Sequence, residues 1–465
     1  MKEHIHLYHI NDLHSHFKNW PKVVNFINEK RQLHQKNGEE MLVFDIGDHV
    51  DRFHPISEAT LGKANIRLMN QLGYDYVTIG NNEGITLSKG QLDDLYIEAN
   101  FNVVVANLFE KNGARPNWAK PYAIHETGSG TKLGIIGLTV PYQKFYELLD
   151  WDVKDPFDLL PALVKEIKDL GVHFVVVLSH LGITEDERLA REIDEVSLIL
   201  GAHTHHLLQD GLKVNETMLC GAGKFGMNVG HVKLLIEPEE KRVTDMIPTV
   251  FSMEDVKDCE ETASSLRDEI IHAQLILDKK ITTTSKELEV KWFHSSILPS
   301  MLAEAIREWC EAEIGMVNSG VLLESLPKGD ITVGDLHRIC PHPINPCKVV
   351  LRGAELKEVI LQAASPRMEQ LQMKGFGFRG EVLGKMEYDG VDVHTIILED
   401  GLPHVTDIFI HGEPIESERN YIVATLDMFT FGRLYPEISH AKEKQYFLPE
   451  MLRDLLKWKL LRNAL

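Results

Sequence analysis

The sequence predicts an α/β fold followed by a less regular α+β region, and three features of the chain point to it. Up to about residue 235, short β-rich runs alternate with amphipathic helical windows, the pattern of a βαβ series. From residue 253 a heavily charged stretch, "MEDVKDCEETASSLRDEIIHAQLILDK", keeps apolar residues at helical spacing and breaks that rhythm. Beyond it, helix and strand signals follow in no repeating order.

"HIHLYHI" (4–10) alternates as a strand, 21–36 is a helix, "MLVFDI" (41–46) a strand and 57–72 a helix. Strands continue at 74–79, 101–107, 132–138, 173–179 and 197–200. A long connecting helix is expected across 253–280, then a helix at about 296–312 and strands around 347–351, 393–398 and 421–426. The expected domains are therefore 1–252 and 281–465, joined by that helix, and 465 residues suffice for two full cores.

Composition narrows the partners. Forty-nine Lys+Arg against 70 Asp+Glu leave a formal charge of −21, which repels polyanions and argues against a nucleic-acid surface. An anionic substrate then needs local help, such as metal ions. No window approaches 18 uninterrupted apolar residues, and the first residues lack the pattern of a secretory leader, so no membrane partner and a cytoplasmic location are expected. Five cysteines (Cys220, Cys259, Cys310, Cys340 and Cys347) without a C-x-x-C pair fit reduced thiols. Nothing in the sequence fixes an oligomeric state.

The chemistry sits at the carboxyl ends of predicted strands, where open α/β sheets bind ligands. "HINDLHSHF" offers Asp12 and His14, two apart and so on one side of an extended segment. "DIGDH" offers Asp48 after a turn-permitting glycine, "GNNE" offers Asn81, "LSHLG" offers His180, and "GAHTHH" offers His203 and His205. Divided between two divalent ions with Asp48 shared, these N and O donors leave room for a bridging water and a phosphate oxygen. Such a donor set suits Mn²⁺, Zn²⁺, Fe²⁺ or Co²⁺ better than Ca²⁺.

This order of D-x-H, G-D, G-N, a lone His and G-H-x-H motifs resembles the calcineurin-like metallophosphoesterase superfamily. "NDLHSHF", "GAHTH" and the later "NSG", "GDITVGDL" and "LRGAEL" resemble its 5′-nucleotidase, UDP-sugar hydrolase and 2′,3′-cyclic phosphodiesterase branch, over nearly the whole chain. The resemblance implies a metallophosphoesterase β-sandwich flanked by helices, with a 5′-nucleotidase-type substrate domain after it. It also implies that Asp12, His14, Asp48 and His205 hold one metal, and Asp48, Asn81, His180 and His203 the other. A nucleotide-like small molecule would be the substrate, its base stacked between two rings of the C-terminal domain.

The chain departs from that family at telling places. After the Asn ligand the family has a catalytic His, with an orienting Asp three residues later; here Asn82 and Ile85 stand there. A general acid is worth about 10²- to 10⁴-fold, most for poor leaving groups, and an amide cannot deliver a proton. His16, His49 and His206 lie close enough in sequence to substitute. In the C-terminal half Asn318 opens "NSG", but Leu323 replaces the phosphate-holding Arg that often follows. His342 of "PHP" and Tyr435 of "FGRLYP" take the places of the stacking rings, and Arg433 is positioned to restore a positive charge. "HRICPHP" offers His337, Cys340 and His342 without a second ligand pair.

Overall fold

The computed structural model describes residues 2–399 and 401–462 and divides the chain into two compact units, Met1–Ala273 and Gln274–Leu465. The first is a sandwich of two six-stranded sheets. Its strands are β1 (Glu3–Ile10), β2 (Glu40–Asp45), β3 (Tyr76–Val77), β4 (Asn102–Val103), β5 (Tyr122–Glu126), β6 (Lys132–Thr139), β7 (Phe174–His180), β8 (Leu198–Gly201), β9 (Leu212–Val214), β10 (Thr217–Cys220), β11 (Asn228–Glu237) and β12 (Arg242–Ser252). One sheet runs β12-β11-β1-β2-β3-β4 and the other β9-β10-β8-β7-β6-β5. The neighbours β1 with β2 and β7 with β8 are parallel, so their C-terminal ends share one rim.

Alternation places the core. Ile5, Leu7, Leu42 and Phe44 of the first sheet pack against Val176, Leu178, Leu198 and Leu200 of the second. Val175, Val177 and Ile199, on the opposite face of the second sheet, are covered by Leu160, Val164 and Leu189 of flanking helices. Helix α1 (Trp20–Asn37) carries Pro21 in its first turn and stops at Gly38, whose φ of 70° supplies the left-handed cap.

Several expected bounds shift for local reasons. The helix expected at 57–72 is two, Pro55–Thr60 and Lys63–Leu72, broken where Leu61 and Gly62 both take positive φ. The apolar runs at 74–79 and 101–107 pair over only two residues each, and their remaining apolar side chains pack as buried loop. The connecting helix is Glu260–Leu277. It straddles the division between the units.

The second unit centres on a five-stranded mixed sheet in the order Met386–Asp389, Ile314–Asn318, Asn420–Leu426, Pro346–Arg352, Lys444–Tyr446. Helices Ile297–Trp309, Gly353–Ala363 and Leu452–Arg462 bury their apolar stripes in its core.

Candidate metal centre

Backbone hydrogen bonds alone bring the loops that carry the first donors together. Because Ile10 lies opposite Asp45, the loops after β1 and β2 leave the sheet side by side. They stay bonded to each other, Asp12 N to Gly47 O at 3.1 Å and His14 N to Asp48 O at 2.8 Å. Asp12, His14, Asp48, His203 and His205 all adopt left-handed φ, between 48° and 69°. Non-glycine residues there cost roughly 1–2 kcal/mol each, and such strain gathers at functional sites.

The side chains then converge in two groups. Asp12, His14 and His205 form one, and Asp48, His180 and His203 the other, with the donor atoms of each group within 4.8 Å of one another. Asp12 Oδ1 lies 3.7 Å from His14 Nε2, 3.5 Å from His205 Nε2 and 3.9 Å from His180 Nε2. Asp48 Oδ2 is 3.3 Å from His180 Nε2 and 3.7 Å from His14 Nε2, so it borders both groups. His180 Nδ1 donates to Ile46 O at 2.7 Å, which fixes the ring with Nε2 inward. Both His180 Nε2 and Asn81 Oδ1 are buried without a hydrogen-bond partner. Buried polar atoms are normally satisfied, so this donor set fits divalent cations.

Electrostatics agrees. Burial alone would lower the His180 pKa, but the Asp48 carboxylate beside it lifts it to about 10. Against the cost of its own burial, Asp48 is held below the usual carboxylate range by His180 and His14. Burial, then the charge on His180, pushes His203 down to about 4. Its Nε2 meets the Tyr142 hydroxyl at 3.1 Å.

Two supports had no spacing signature in the sequence. Glu83, buried and lifted to about 7 by burial and then by Asp48, accepts from the backbone N–H groups of Asp48 (3.0 Å), Val50 (2.8 Å) and Gly80 (2.9 Å). It stitches the loops after β2 and β3 together. Asp51 Oδ2 sits 3.3 Å from His14 Nδ1, three residues beyond Asp48 in "DIGDHVD". Gly80 is the tightest point: a Cβ there would lie 2.0 Å from Asp48 Oδ1 and 2.6 Å from His180 Cε1. Gly80→Ala is expected to weaken metal uptake by up to about 100-fold, the upper range for displaced ligand support. Metal analysis after desalting checks this, and native-level retention would remove the steric role.

The remaining expected residues fall in different places. The Asn82 side chain meets His14 Nδ1 at 2.8 Å, and its N–H donates to Asp48 Oδ1 at 2.8 Å. His16 is exposed and lies against the Phe225 ring at 3.7 Å. His49 is buried beside Trp20 and Asn65, with its pKa lowered to about 3 by burial. His206 is exposed and bonds Thr204. In the C-terminal unit Asn318 is buried and donates to Leu383 O at 2.7 Å.

The expected ring platform of His342 and Tyr435 needs correcting. His342 is fully buried, bonded to Val321 O and to Arg379 N, and stacked on Phe378. Tyr435 is 2 % exposed and packs edge-on against Phe429. Neither ring offers a face to a ligand. Exposed aromatic surface lies instead at Phe376, 54 % exposed, nearly parallel to Phe431 with centroids 6.2 Å apart. The repeated G-F of "GFGFRG" was its only sequence signal. Arg433 is exposed and lines a cavity of about 410 Å³ with Gln362, Arg367 and Leu434. His337, Cys340 and His342 are not among the converging ligand groups of the described residues.

A β-sandwich carrying paired His/Asp groups on one rim, followed by an α+β unit, defines a two-domain metallophosphoesterase. Residues 5–207 match the calcineurin-like phosphoesterase family, and 279–433 match the 5′-nucleotidase C-terminal domain. The chain is 50% identical over 461 residues to the uncharacterized metallophosphoesterase YunD of Bacillus subtilis (strain 168), covering 99% of this chain and 100% of that one. It is 22% identical over 438 residues to the snake venom 5′-nucleotidase of Gloydius brevicauda, covering 83% of this chain and 72% of that one. The NAD nucleotidase of Haemophilus influenzae shares the fold, with a TM-score of 0.69 at 15% identity over 100% of this chain and 97% of that one. The chain belongs to the calcineurin-like metallophosphoesterase family, in the form that carries a 5′-nucleotidase C-terminal domain. It is a phosphoric ester hydrolase by family, and that family uses divalent metals.

Proposed function

We propose that the protein hydrolyses nucleotide-like phosphate compounds whose leaving group departs without a proton from a side chain. Nucleoside diphosphate sugars and other anhydrides are then preferred over nucleoside monophosphates. The observation that carries this is the side chain of Asn82, 2.8 Å from His14 Nδ1 and unable to act as an acid. Where the family places a proton donor, this chain places a support for a metal ligand. Asp12, His14, Asp48, Asn81, His180, His203 and His205 would hold two divalent ions, which would supply Lewis acidity and a nucleophile near neutral pH.

The chain's own residues do the rest. Asn82 and Asp51 fix the His14 ring, Ile46 O fixes His180, and Glu83 fixes the Asp48 loop. In the C-terminal unit the Phe376 face offers a base a stacking surface. Arg433 and Arg367, on the neighbouring cavity, offer positive charge to an otherwise acidic protein. All five cysteines are free and four are buried, which supports a reducing, cytoplasmic setting.

The test compares UMP with UDP-glucose for the Mn²⁺-loaded native protein and for Asn82→His. Native protein is expected to favour UDP-glucose, and the variant to gain on UMP by about 10-fold or more, the low end of general-acid catalysis. Equal gains on both substrates would sink the leaving-group assignment. A second function, nucleotide binding with little turnover, is favoured by the joint presence of Asn82, Ile85 and Leu323. Tight binding with no product from either substrate would select it.

A further inference from the structure

A second histidine cluster lies at the other end of β1. His4 and His6 project from the same side of that strand, His34 comes from the last turn of α1, and Glu39 follows the Gly38 cap. His34 Nδ1 is 3.0 Å from Glu39 Oε2, and His6 Nε2 is 3.4 Å from the same oxygen. Donor atoms of His6, His34 and Glu39 all lie within 4.8 Å of one another. In a tetrahedral zinc site with bonds of about 2.0–2.1 Å, neighbouring ligand atoms stand about 3.3 Å apart. The two separations from Glu39 Oε2, 3.0 and 3.4 Å, bracket that value.

The outer contacts follow the pattern that metal-binding imidazoles need. His6 Nδ1 meets His231 Nε2 at 2.9 Å, and His34 Nε2 meets the Tyr8 hydroxyl at 3.0 Å. Each ring thus has its outer nitrogen engaged and its inner nitrogen turned to one carboxylate. The other carboxylate oxygen, Oε1, is 3.1 Å from His4 Nδ1, and Asn37 donates to Oε2 at 3.2 Å. His6 is 5 % exposed, yet its Nε2 has no hydrogen-bond partner. The His6 and His34 rings stack with centroids 3.7 Å apart and planes 25° from parallel, so taking up one ion turns one ring out of the stack.

We propose that His6 Nε2, His34 Nδ1 and the Glu39 carboxylate form a separate site for one divalent transition ion, Zn²⁺ above all. Two imidazoles and one carboxylate are borderline ligands of the kind zinc prefers. Glu39 is only partly buried, so solvent reaches the fourth position. The ion pins the end of α1 and the turn into β2 onto β1. It takes no part in hydrolysis, whose residues leave the opposite end of the strand.

The test strips the full-length protein with chelator, loads Zn²⁺, and measures metal per chain after desalting, together with a calorimetric titration. Native protein is expected to hold one more ion per chain than Glu39→Gln or His34→Gln. Tyr8→Phe keeps the ion but binds it about 10-fold more weakly, the cost of a lost outer partner. Metal-dependent hydrolysis of bis(p-nitrophenyl) phosphate stays at the native rate in Glu39→Gln. If His34→Gln misfolds by circular dichroism, Glu39→Gln carries the comparison alone. Equal zinc content in native protein and Glu39→Gln overturns the proposal.

Discussion

Asp48→Asn is expected to leave the protein folded and to lower metal-dependent phosphoesterase turnover by at least about 10³-fold, because divalent ions that this carboxylate would help to hold, and that would supply the nucleophile, would be lost with it. The carboxylate borders both donor groups through Oδ2 and accepts from Asn82 N through Oδ1. Asparagine keeps the shape and that acceptor but removes the charge. His180, lifted to about 10 chiefly by Asp48 against the pull of burial, loses the partner that orders it towards the cations. Metal content and turnover, read beside an unchanged circular dichroism spectrum, give the comparison. Turnover within tenfold of native would show that the two groups do not depend on a shared ligand.

Glu83→Ala is expected to destabilise the N-terminal unit by about 2–5 kcal/mol, since it strands three buried backbone donors at about 1–3 kcal/mol each, with some recovered by water. Glu83→Gln, which keeps both positions filled but turns one of them into a donor, falls between. Urea unfolding in excess chelator separates this from metal loss, because the stitch acts on the loops themselves. An effect that vanishes in chelator would mean that Glu83 acts only through the ions.

The convergence of the candidate donors was legible because each follows a strand that is apolar enough to read, and the parallel pairing of those strands gathers their ends by rule. Asp12 and His14 were paired by their spacing on an extended segment, but both lie beyond the strand with left-handed φ, and the loop's bonds to Gly47 and Asp48 are what bring them together. What could not be read is contact across sequence. Asn82 meets His14 from 68 residues away, and Glu83 gives no hint that its oxygens face Asp48, Val50 and Gly80. Strand β12 was missed because none of its residues is buried, so alternation leaves no strong apolar pattern. His342 and Tyr435 matched by position, but position does not report burial. Phe378 and Phe429 enclose them.

The left-handed backbone at Asp12, His14, Asp48, His203 and His205 makes the working protein an unstable version of itself. Glycine at any one of these positions would relieve roughly 1 kcal/mol of local strain, partly offset by a more flexible unfolded chain. A variant with His14 or His203 replaced by glycine can therefore fold as well as the native chain while having lost a candidate ligand. Selection for folding alone would drift towards such inert forms, so each catalytic loop persists only while the chemistry itself is under selection.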